Sequence, residues 1–472
     1  VQGRDEGPGA ARAVPLETPS EERLLELAEE ARRAVVAHYG ETEEDLTTPV
    51  EIVDRETLVE TLLIDLRPQM VIQFGEDQAD EITRSSAQIV AELLLARYAF
   101  DAGKVLICRD NIEALSGRIE MPRLREEGPL RALMVHEFVH ARDGREVDFG
   151  RLFGSCANTD EIMALNAVVE GHAQHVARAI AAGPGRESDF QYFTDSITVV
   201  PSSLTDPAQR LLAEISASTF AFAYRDGERF VAAIAEARGE QALAGLFSSP
   251  PKDSAEVLRP LYYLDPESRP EVEVAFDPAL DHFDAVAVPD EFRRQRMGLM
   301  RPQLEAVFAG VDPLLTKDAL DALIDSRVHF CQDPEDPSRA LSATLYGFET
   351  PGKAQTFLSV QQALLRMRDE QFSSGSIRIT DAAYTDLSRP EGARGVLSEK
   401  VVETLLGEEE ALTVLLVRES TLVELSAVED EDDPATLVRW ADEVLEVALG
   451  LREPAERAVE EEPGDQDESE TE

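Results

Sequence analysis

The first half of the chain carries mainly helical patterns of apolar and polar positions. Apolar residues recur there every three or four positions, which is the period of an amphipathic or buried α-helix. On this pattern we expect helices over residues 21–39, 78–99, 128–143, 160–180, 204–223 and 229–244. A short strand followed by a helix is expected over 49–66, and the apolar run 104–108 predicts a short buried strand.

The pattern changes in the second half of the chain. Helical spacing continues over 289–308 and 316–327, and an acidic stretch with two prolines follows at 333–337. β-rich alternation then predicts strands over 340–348, 376–384, 395–405 and 411–428, with helices over 351–371 and 433–449. Pro351 follows Thr350, as expected for the first position of a helix. The order β-α-β-β-β-α predicts an α+β sandwich that resembles ferredoxin-like folds.

These elements predict an α+β protein with two domains, where a chain of 472 residues is expected to hold two or three. A mostly helical domain is expected over residues 21–275, and a smaller α+β domain with a helical lead-in over 276–452. Residues 1–20, which are rich in Gly, Pro and charge, are expected to be disordered. The acidic tail 453–472 is expected to be disordered as well.

The chain is strongly acidic, with 94 Asp and Glu against 45 Lys and Arg and a net charge of −49. This charge argues against binding to nucleic acid or to an anionic membrane, because both would repel the protein. It is compatible with a high-salt environment or with basic substrates. No apolar run is long enough to span a membrane. The opening segment has the composition left after removal of a signal segment, so we expect a secreted, periplasmic or lipoprotein location, although a trimmed chain would look the same.

The cysteines point to neither a disulfide framework nor a thiolate zinc site. Only Cys108, Cys156 and Cys331 are present, they lie far apart, and no C-x-x-C occurs. We expect three buried free thiols, with a bridge between Cys108 and Cys156 as the open alternative.

The chemistry is concentrated in the segment His136-Glu137-Phe138-Val139-His140, an H-E-x-x-H inside the helix expected over 128–143. Residues four apart share a helix face, so His136 and His140 can bind one zinc ion, with Glu137 beside them to deprotonate a zinc-bound water. Four of the chain's seven histidines lie between positions 136 and 175. The alternative is an amphipathic helix with histidines on a half-buried face and a solvated glutamate.

A third ligand is expected on the next helix. Glu170 stands in a run of small and apolar residues, 167–171, where burial of a carboxylate is unfavourable unless a cation pairs with it. Gly171 has no side chain, which would let a second helix approach closely. The alternative for Glu170 is an exposed position on a helix surface. His172 and His175 lie two and five positions further on and do not share its face well, so we expect them to support the site or lie at the surface.

This pattern resembles the gluzincin class of zinc metallopeptidases, in which two histidines of H-E-x-x-H and a glutamate of a following helix hold the metal. More narrowly, it is similar to a little-characterised bacterial and archaeal group with H-E-[LF]-[TV]-H-A, A-x-x-x-[LV]-x-E-G-x-A, Y-x-x-G and P-P-x-S segments. The corresponding segments here are 136–141, 164–173, 224–227 and 250–254, within a resemblance that covers about residues 50–265. The resemblance implies that His136, His140 and Glu170 bind Zn²⁺ and that Glu137 is the catalytic base.

The chain departs from this group at three positions. Gly144 follows Asp143 where the group has Asp-Gln, His172 replaces an aspartate, and Arg259-Pro260 replaces a His-Pro pair. A donor to the transition state is expected from the same half of the chain. The candidates are Tyr224, His172, Arg259, Tyr262 and Tyr263, with Tyr224 and His172 preferred. The resemblance also implies that the strand over 104–108 lines the cleft and pairs with an extended substrate, the alternative being an ordinary core strand.

The leading functional hypothesis is a zinc metallopeptidase, a hydrolase acting on peptide or protein substrates. The alternative is a binding or sensing protein on a catalytically degenerate metallopeptidase fold, motivated by His172 and Arg259. A scaffold without metal is the third possibility. The second domain carries no chemical motif, and its His282 and His329 stand alone in sequence.

Overall fold

The protein has an α+β fold, as predicted, with many helices and a large antiparallel sheet. The computed structural model describes residues 16–455 except 75, 184, 272–273, 299–300, 337, 374–376, 390–391, 405–406 and 429–432. Most of the segments 1–20 and 453–472, which were predicted to be disordered, lies outside the described residues. The chain forms two compact units. The first comprises residues 1–157, 162–203 and 220–251, and the second comprises 158–161, 204–219 and 252–472.

Helices dominate the chain up to residue 268. The elements in order are α1 Glu21–Tyr39, β1 Val50–Ile52, α2 Arg55–Phe74, α3 Glu76–Ala91, β2 Ala96–Ala99, β3 Lys104–Ile107, α4 Arg109–Arg118, a 3₁₀ turn Pro122–Arg125, α5 Glu127–Asp143, α6 Phe149–Gly154, α7 Thr159–Ala181, α8 Arg186–Ser196, α9 Pro207–Ala221, a π-helical turn Phe222–Asp226, α10 Gly227–Arg238, a 3₁₀ turn Glu240–Gly245, α11 Ser254–Leu258, α12 Pro260–Leu264 and a 3₁₀ turn Pro266–Ser268. The helices predicted over 21–39, 128–143 and 160–180 are therefore confirmed to within one residue at each end.

Helix α5 is the centre of the first unit. It is buried on nearly every side, so that within 130–141 only Arg131 reaches partial exposure. Helix α1 packs against it with the apolar stripe that includes Leu24, Leu27 and Val35. Ser20 caps the start of α1, and Gly40 ends it in the left-handed conformation. The H-E-x-x-H segment thus lies on a core helix, not on the half-buried amphipathic helix that was the alternative.

A small sheet lies beside α5, in the strand order β1-β3-β2. Strand β3 runs parallel to β1 and antiparallel to β2, so the strand predicted over 104–108 is the middle strand and cannot pair with a substrate. The edge strands of this sheet are β1 and β2, and β2 was wrongly predicted as the end of a helix over 78–99. Its Ala-Arg-Tyr-Ala sequence shows no period-2 alternation because all four residues are buried, and its strand state comes from pairing with β3.

The second half of the chain is built around a seven-stranded antiparallel sheet in the order β4-β5-β6-β10-β9-β8-β7. The elements are α13 Phe276–Ala287, β4 Arg293–Gly298, α14 Arg301–Val307, α15 Pro313–Asp321, β5 Leu323–Gln332, β6 Ala340–Phe348, α16 Pro351–Gln371, β7 Arg378–Ser388, β8 Arg394–Glu403, β9 Glu408–Arg418, β10 Thr421–Val428 and α17 Pro434–Ala448. Alternate residues face opposite layers: Val414 and Leu416 pack in the core that contains α17, and Leu415 and Val417 pack in the core that contains α16.

In this half of the chain, the elements with a clear apolar pattern were predicted correctly. The segments without such a pattern were not. Strand β6 and helix α16 have the predicted bounds. The strand predicted over 411–428 is a hairpin, β9 and β10, that turns at Glu419 with a positive φ of 53°. The helices predicted over 289–308 and 316–327 are confirmed only in part, by α14 and α15. Strand β4 lies in the first half of the first range, and β5 begins within the second. The Arg-Arg-Gln-Arg run of β4 has no apolar period of its own and becomes a strand by pairing with β5.

Cys108, Cys156 and Cys331 form no disulfide bond in the structure, so the alternative of a bridge between Cys108 and Cys156 is wrong. Cys108 and Cys331 are buried as predicted, whereas Cys156 is half-buried. Burial raises the pKa of the Cys108 thiol, which keeps it protonated and unreactive at neutral pH. Among the helices that the structure describes, none combines the length and the apolar character needed to cross a membrane.

The first turn of α7 contains a buried carboxylate that makes stability depend on pH. Burial raises the pKa of Asp160 to about 6, against a usual 3.8, although Ser254 donates hydrogen bonds to it. Below about pH 4 the carboxyl is protonated in the folded and unfolded states, and its stabilising contribution is fully present. As the pH rises through about 6, the folded state must accept a buried charge, and about 2–3 kcal/mol of that contribution is lost.

We therefore expect Asp160→Asn to match the wild type in stability near pH 4 and to be more stable at pH 7.5. Denaturant unfolding at a series of pH values measures the difference. Asp110→Asn is the control, because Asp110 is an exposed aspartate in the first turn of another helix, α4. The same pH dependence in both variants would contradict the prediction.

Candidate metal centre

Helices α5 and α7 bring three metal-ligating side chains to one point. The Nε2 atoms of His136 and His140 lie 3.0 Å apart. The Oε2 atom of Glu170 lies 3.0 Å from the Nε2 of His136 and 3.3 Å from that of His140. Two ligands bound to a tetrahedral zinc at its usual bond lengths are separated by about 3.3 Å. The three atoms therefore form a triangle of the size that one zinc ion requires.

The electrostatics of this triad favour a cation. Burial alone would raise the pKa of Glu170, but the charges and hydrogen bonds of His140 and His136 hold the pKa of that carboxyl well below its usual range. Burial alone would lower the pKa of His140, yet Glu170 raises it. The carboxylate thus stays ionised and favours positive charge on the imidazole of His140. Aspartate, glutamate and histidine donors of this kind suit zinc and similar divalent metals.

Aromatic packing holds the two imidazoles in place. Tyr224 stacks on His136 with ring centroids 5.4 Å apart and an angle of 21°, and Phe193 meets the same ring edge-on at 6.1 Å. Phe100 meets His140 edge-on at 6.0 Å. The Nδ1 atoms of both histidines are buried and have no hydrogen-bond partner among the described residues. Ring orientation therefore depends on packing, and not on the carboxylate or carbonyl acceptor that often holds a metal-binding histidine.

Glu137 lies beside the triad but is not one of the three converging ligands. Its Oε2 atom accepts a hydrogen bond of 2.6 Å from the backbone N–H of Tyr98, on edge strand β2. Burial raises the pKa of Glu137, while the neighbouring His136 and His140 lower it. A carboxylate held by one oxygen keeps its other oxygen for a proton, which is the geometry that a general base needs.

Tyr224 also reaches the triad, from the π-helical turn between α9 and α10. Its ring stacks on His136, and the carboxylate of Glu170 is close enough to act on its hydroxyl. Burial raises the pKa of Tyr224 well above 10, the charges of Glu170 and Glu137 raise it further, and Arg97 acts in the opposite direction. The phenol is therefore a protonated donor at neutral pH. Single-turn π-helices of this kind often occur at functional sites.

The other predicted donors lie elsewhere. The Nδ1 atom of His172 pairs with Asp143 at 2.6 Å, and its ring meets Phe247 edge-on. It lines a separate cavity of about 1140 Å³ together with His38 and His175. A residue two positions after Glu170 is turned by about 200° around the helix, so the structure does not bring His172 to the triad.

The remaining donor candidates belong to the second compact unit. Arg259 donates a 2.8 Å hydrogen bond to the hydroxyl of Tyr262 and another to the carbonyl of Asp321. Tyr262 and Tyr263 both lie on the short helix α12.

A second group of potential ligands lies in the second unit, but its chemistry suits a metal poorly. Asp284, His329 and Cys331 come close together, so His329 does not stand alone as predicted. Two guanidinium groups already bind these side chains. Arg294 donates a hydrogen bond to Asp284, and Arg296 donates one to the Nδ1 atom of His329. With Nδ1 accepting, Nε2 carries the proton, which it donates to Asp284 at 3.1 Å. Among the residues that the structure describes, no arginine or lysine forms a hydrogen bond or ion pair with His136, His140 or Glu170.

Similarity to known proteins does not identify the chain. No protein-family model matches it, and no curated protein matches it in sequence. Among solved structures, the extracellular domain of PknH from Mycobacterium tuberculosis aligns with 34% of this chain and 80% of its own length. The identity is 15% and the TM-score 0.21, a likeness that carries no argument about fold or function.

The triad opens into a cleft of about 810 Å³ in the first unit. Apolar side chains form much of its wall, including Ile64, Leu94, Phe149, Phe153 and Phe220. Two charged residues of the wall, Arg97 and Asp65, were missed by sequence reasoning because β2 was assigned to a helix. A signal was present, since Arg97 is the one basic residue in the run 85–103.

Proposed function

We propose that the protein is a zinc-dependent metallopeptidase that hydrolyses peptide bonds. The observation that carries the proposal is the convergence of two imidazole nitrogens and one carboxylate oxygen within 3.0–3.3 Å, with Glu137 beside them. A catalytic zinc takes three protein ligands and keeps one position for water or substrate, which this arrangement would provide. The resemblance of the surrounding motifs to gluzincins supports the same reaction.

The side chains of the cleft support a division of roles. Zinc bound by His136, His140 and Glu170 would act as a Lewis acid toward the scissile carbonyl and its attacking water. Glu137, with Oε2 fixed by Tyr98, would accept the proton of the water at Oε1 and return it to the leaving amine nitrogen. Tyr224 would donate its phenolic hydrogen to the oxygen that gains negative charge.

We include in the same proposal a gluzincin-like fold for the first unit and a ferredoxin-like fold for the C-terminal domain. The order of β2, β3 and the H-E-x-x-H helix supports a gluzincin-like first unit, with β2 as the edge strand along which an extended substrate would pair. For the C-terminal domain, one feature supports the ferredoxin-like resemblance: α16 follows β6 in the chain and packs against the sheet. Strands β7 to β10 follow as one antiparallel run of four, where the predicted order has three strands.

Digestion of a mixed peptide library, read by mass spectrometry, tests the activity. We expect zinc-loaded protein to bind about one zinc per chain and to cut peptides, chelation to stop the cuts, and added zinc to restore them. Cuts that persist at the same rate in chelated protein with no measurable metal would contradict a metallopeptidase.

A binding or sensing protein is the second candidate. It is favoured by His172, which pairs with Asp143 and stands where the similar group has an aspartate, and by Arg259, which replaces a histidine. Tight binding of peptides by zinc-loaded protein without any cleavage would support this candidate over the peptidase.

Removal of the Tyr224 hydroxyl is expected to slow the chemical step. Tyr224→Phe keeps the ring that stacks on His136 but removes the donor, so kcat should fall about 100-fold with little change in KM or zinc content. Steady-state kinetics and metal analysis measure these quantities. Tyr192→Phe is the control, because the Tyr192 hydroxyl accepts a hydrogen bond from the Arg123 N–H and is absent from the residues lining the cleft. An unchanged kcat for Tyr224→Phe would exclude Tyr224 as the donor.

A further inference from the structure

Strand β2 carries a buried arginine with an unused donor. Arg97 is 8% exposed, and its Nη2 atom donates to Asp65. Asp65 also accepts hydrogen bonds from the backbone N–H groups of Phe100, at 3.3 Å, and Asp101, at 3.2 Å. The Nη1 atom of Arg97 is buried and has no hydrogen-bond partner in the part of the chain that the structure describes. A buried charged donor without a partner is unusual, because its lost hydration is not replaced.

The same arginine lines the cleft around the triad. Glu137, His140, Glu170 and Tyr224 line that cleft with it. Arg97 directly precedes Tyr98, whose N–H binds Glu137, and its charge acts on the phenol of Tyr224. The unused Nη1 group is therefore near the position where a scissile bond would lie in the proposed peptidase.

The hydrogen-bonding chemistry of a guanidinium indicates which kind of ligand group Arg97 can bind. A guanidinium has five N–H donors in a planar fork and no acceptor, and it binds carboxylates with short, charge-assisted hydrogen bonds. Asp65 already has three donors and holds the guanidinium from one side. Arg145, the other arginine that lines the cleft, has its Nη2 atom on both carboxylate oxygens of Glu41, at 3.2 and 3.1 Å. Arg145 is exposed, so water can reach its other donors, whereas the Nη1 group of Arg97 is a buried donor left for a ligand.

We propose that Arg97 binds a carboxylate of the substrate through Nη1 and makes the cleft selective for peptides that carry one. This inference rests on the proposed peptidase function and adds a substrate class to it. The carboxylate has two possible sources. It is the chain terminus if the enzyme removes residues from the C-terminal end, or the side chain of Asp or Glu if it cuts within a chain next to an acidic residue.

Three peptides of one sequence distinguish these sources: a free acid, its C-terminal amide, and an amide in which one glutamine near the cleavage site, as mapped with the peptide library, is replaced by glutamate. We expect wild-type kcat/KM to be at least about 100-fold higher for one carboxylate-bearing peptide than for the plain amide. A preference for the free acid assigns the terminal carboxylate, and a preference for the glutamate peptide assigns the side chain. Equal values for all three peptides would overturn the inference and leave the peptidase function standing.

Variants test whether Arg97 is responsible. Arg97→Gln should lower kcat/KM for the preferred peptide toward the value for the plain amide, and Arg145→Gln should keep the wild-type preference. Because Arg97→Gln leaves the Asp65 carboxylate without its arginine, the double variant Arg97→Gln with Asp65→Asn removes both charges and serves if the single variant does not fold. A folded Arg97 variant that keeps the full preference would also overturn the inference.

Binding separates this inference from the proposed function. Calorimetry with zinc-loaded Glu137→Gln protein measures the affinity for the same three peptides without turnover. We expect the preferred carboxylate peptide to bind at least about tenfold more tightly than the amide. If wild type cuts no peptide but this selectivity is found, the peptidase function fails and the carboxylate site of Arg97 stands. Equal binding of all three peptides counts against Arg97 whether or not the wild type is active.

Discussion

Replacement of Glu137 by glutamine is expected to abolish peptide hydrolysis while leaving zinc in place. Glutamine has nearly the same shape and can still accept the hydrogen bond from the Tyr98 N–H, but it cannot take a proton from water. The three converging ligand atoms belong to other residues, so the metal content should not change. General-base catalysis contributes about 100- to 10,000-fold, so we expect kcat to fall by about 1000-fold or more.

The measurement compares kcat, zinc content and melting temperature for the wild type and Glu137→Gln. Glu60→Gln is the matched control, since Glu60 is an exposed glutamate of helix α2. Loss of activity together with loss of zinc would show a role in the integrity of the site instead of proton transfer. Hydrolysis at the wild-type rate by zinc-loaded Glu137→Gln protein would make the proposed mechanism wrong.

The helices that carry the triad could be predicted from the sequence because their signals are local. Apolar spacing set the bounds of α5 and α7 to within one residue, and the i, i+4 spacing placed His136 and His140 on one face. Glu170 was found as a charge within an apolar run, which is unfavourable unless something pairs with it. The strands beside them could not be predicted as well. Strands β2 and β4 exist through pairing with β3 and β5, and their own sequences resemble a helix or a polar loop.

The parts of the site that escaped prediction depend on those strands. The orientation of Glu137 is set by an amide of β2, and the open donor of Arg97 is visible only once Asp65 is in place. Like Glu170, Arg97 is a charged residue within an apolar run. Because the strand that contains it was not predicted, its position in the wall of a cleft was not predicted either. His172 illustrates the opposite case, because proximity in sequence to Glu170 suggested a role that the helix geometry does not support.

Gly171 is the position where the smallest change should have the largest structural effect. A Cβ atom at this position would lie 2.2 Å from the carbonyl carbon of Gly227 and 2.4 Å from its oxygen. The contact is reciprocal, since a Cβ atom on Gly227 would lie 2.1 Å from the carbonyl oxygen of Ala167. The close approach that the sequence suggested for Gly171 is confirmed, and it joins α7 to the start of α10. Nearby, Arg178 and Glu228 join the same helices through two hydrogen bonds.

Because the neighbours of the added methyl group are backbone atoms, no side chain can move aside to accept it. Gly171→Ala should therefore separate α7 from α10, lower the free energy of unfolding by about 3 kcal/mol or more, and weaken zinc binding at least about tenfold. Zinc should be affected because α7 carries Glu170 and the turn before α10 carries Tyr224, which stacks on His136.

Gly352→Ala is the matched control for this helix contact. Gly352 lies in the first turn of α16, and a Cβ atom there would meet no atom within 4 Å. Alanine at an open helical position should be neutral or stabilising by up to about 1 kcal/mol, since it restricts the unfolded chain. Denaturant unfolding and zinc titration of the two variants side by side decide the point. If Gly171→Ala unfolds and binds zinc as the control does, then the two glycines do not determine the position of Glu170, and the geometry of the triad depends on the packing around α5 alone.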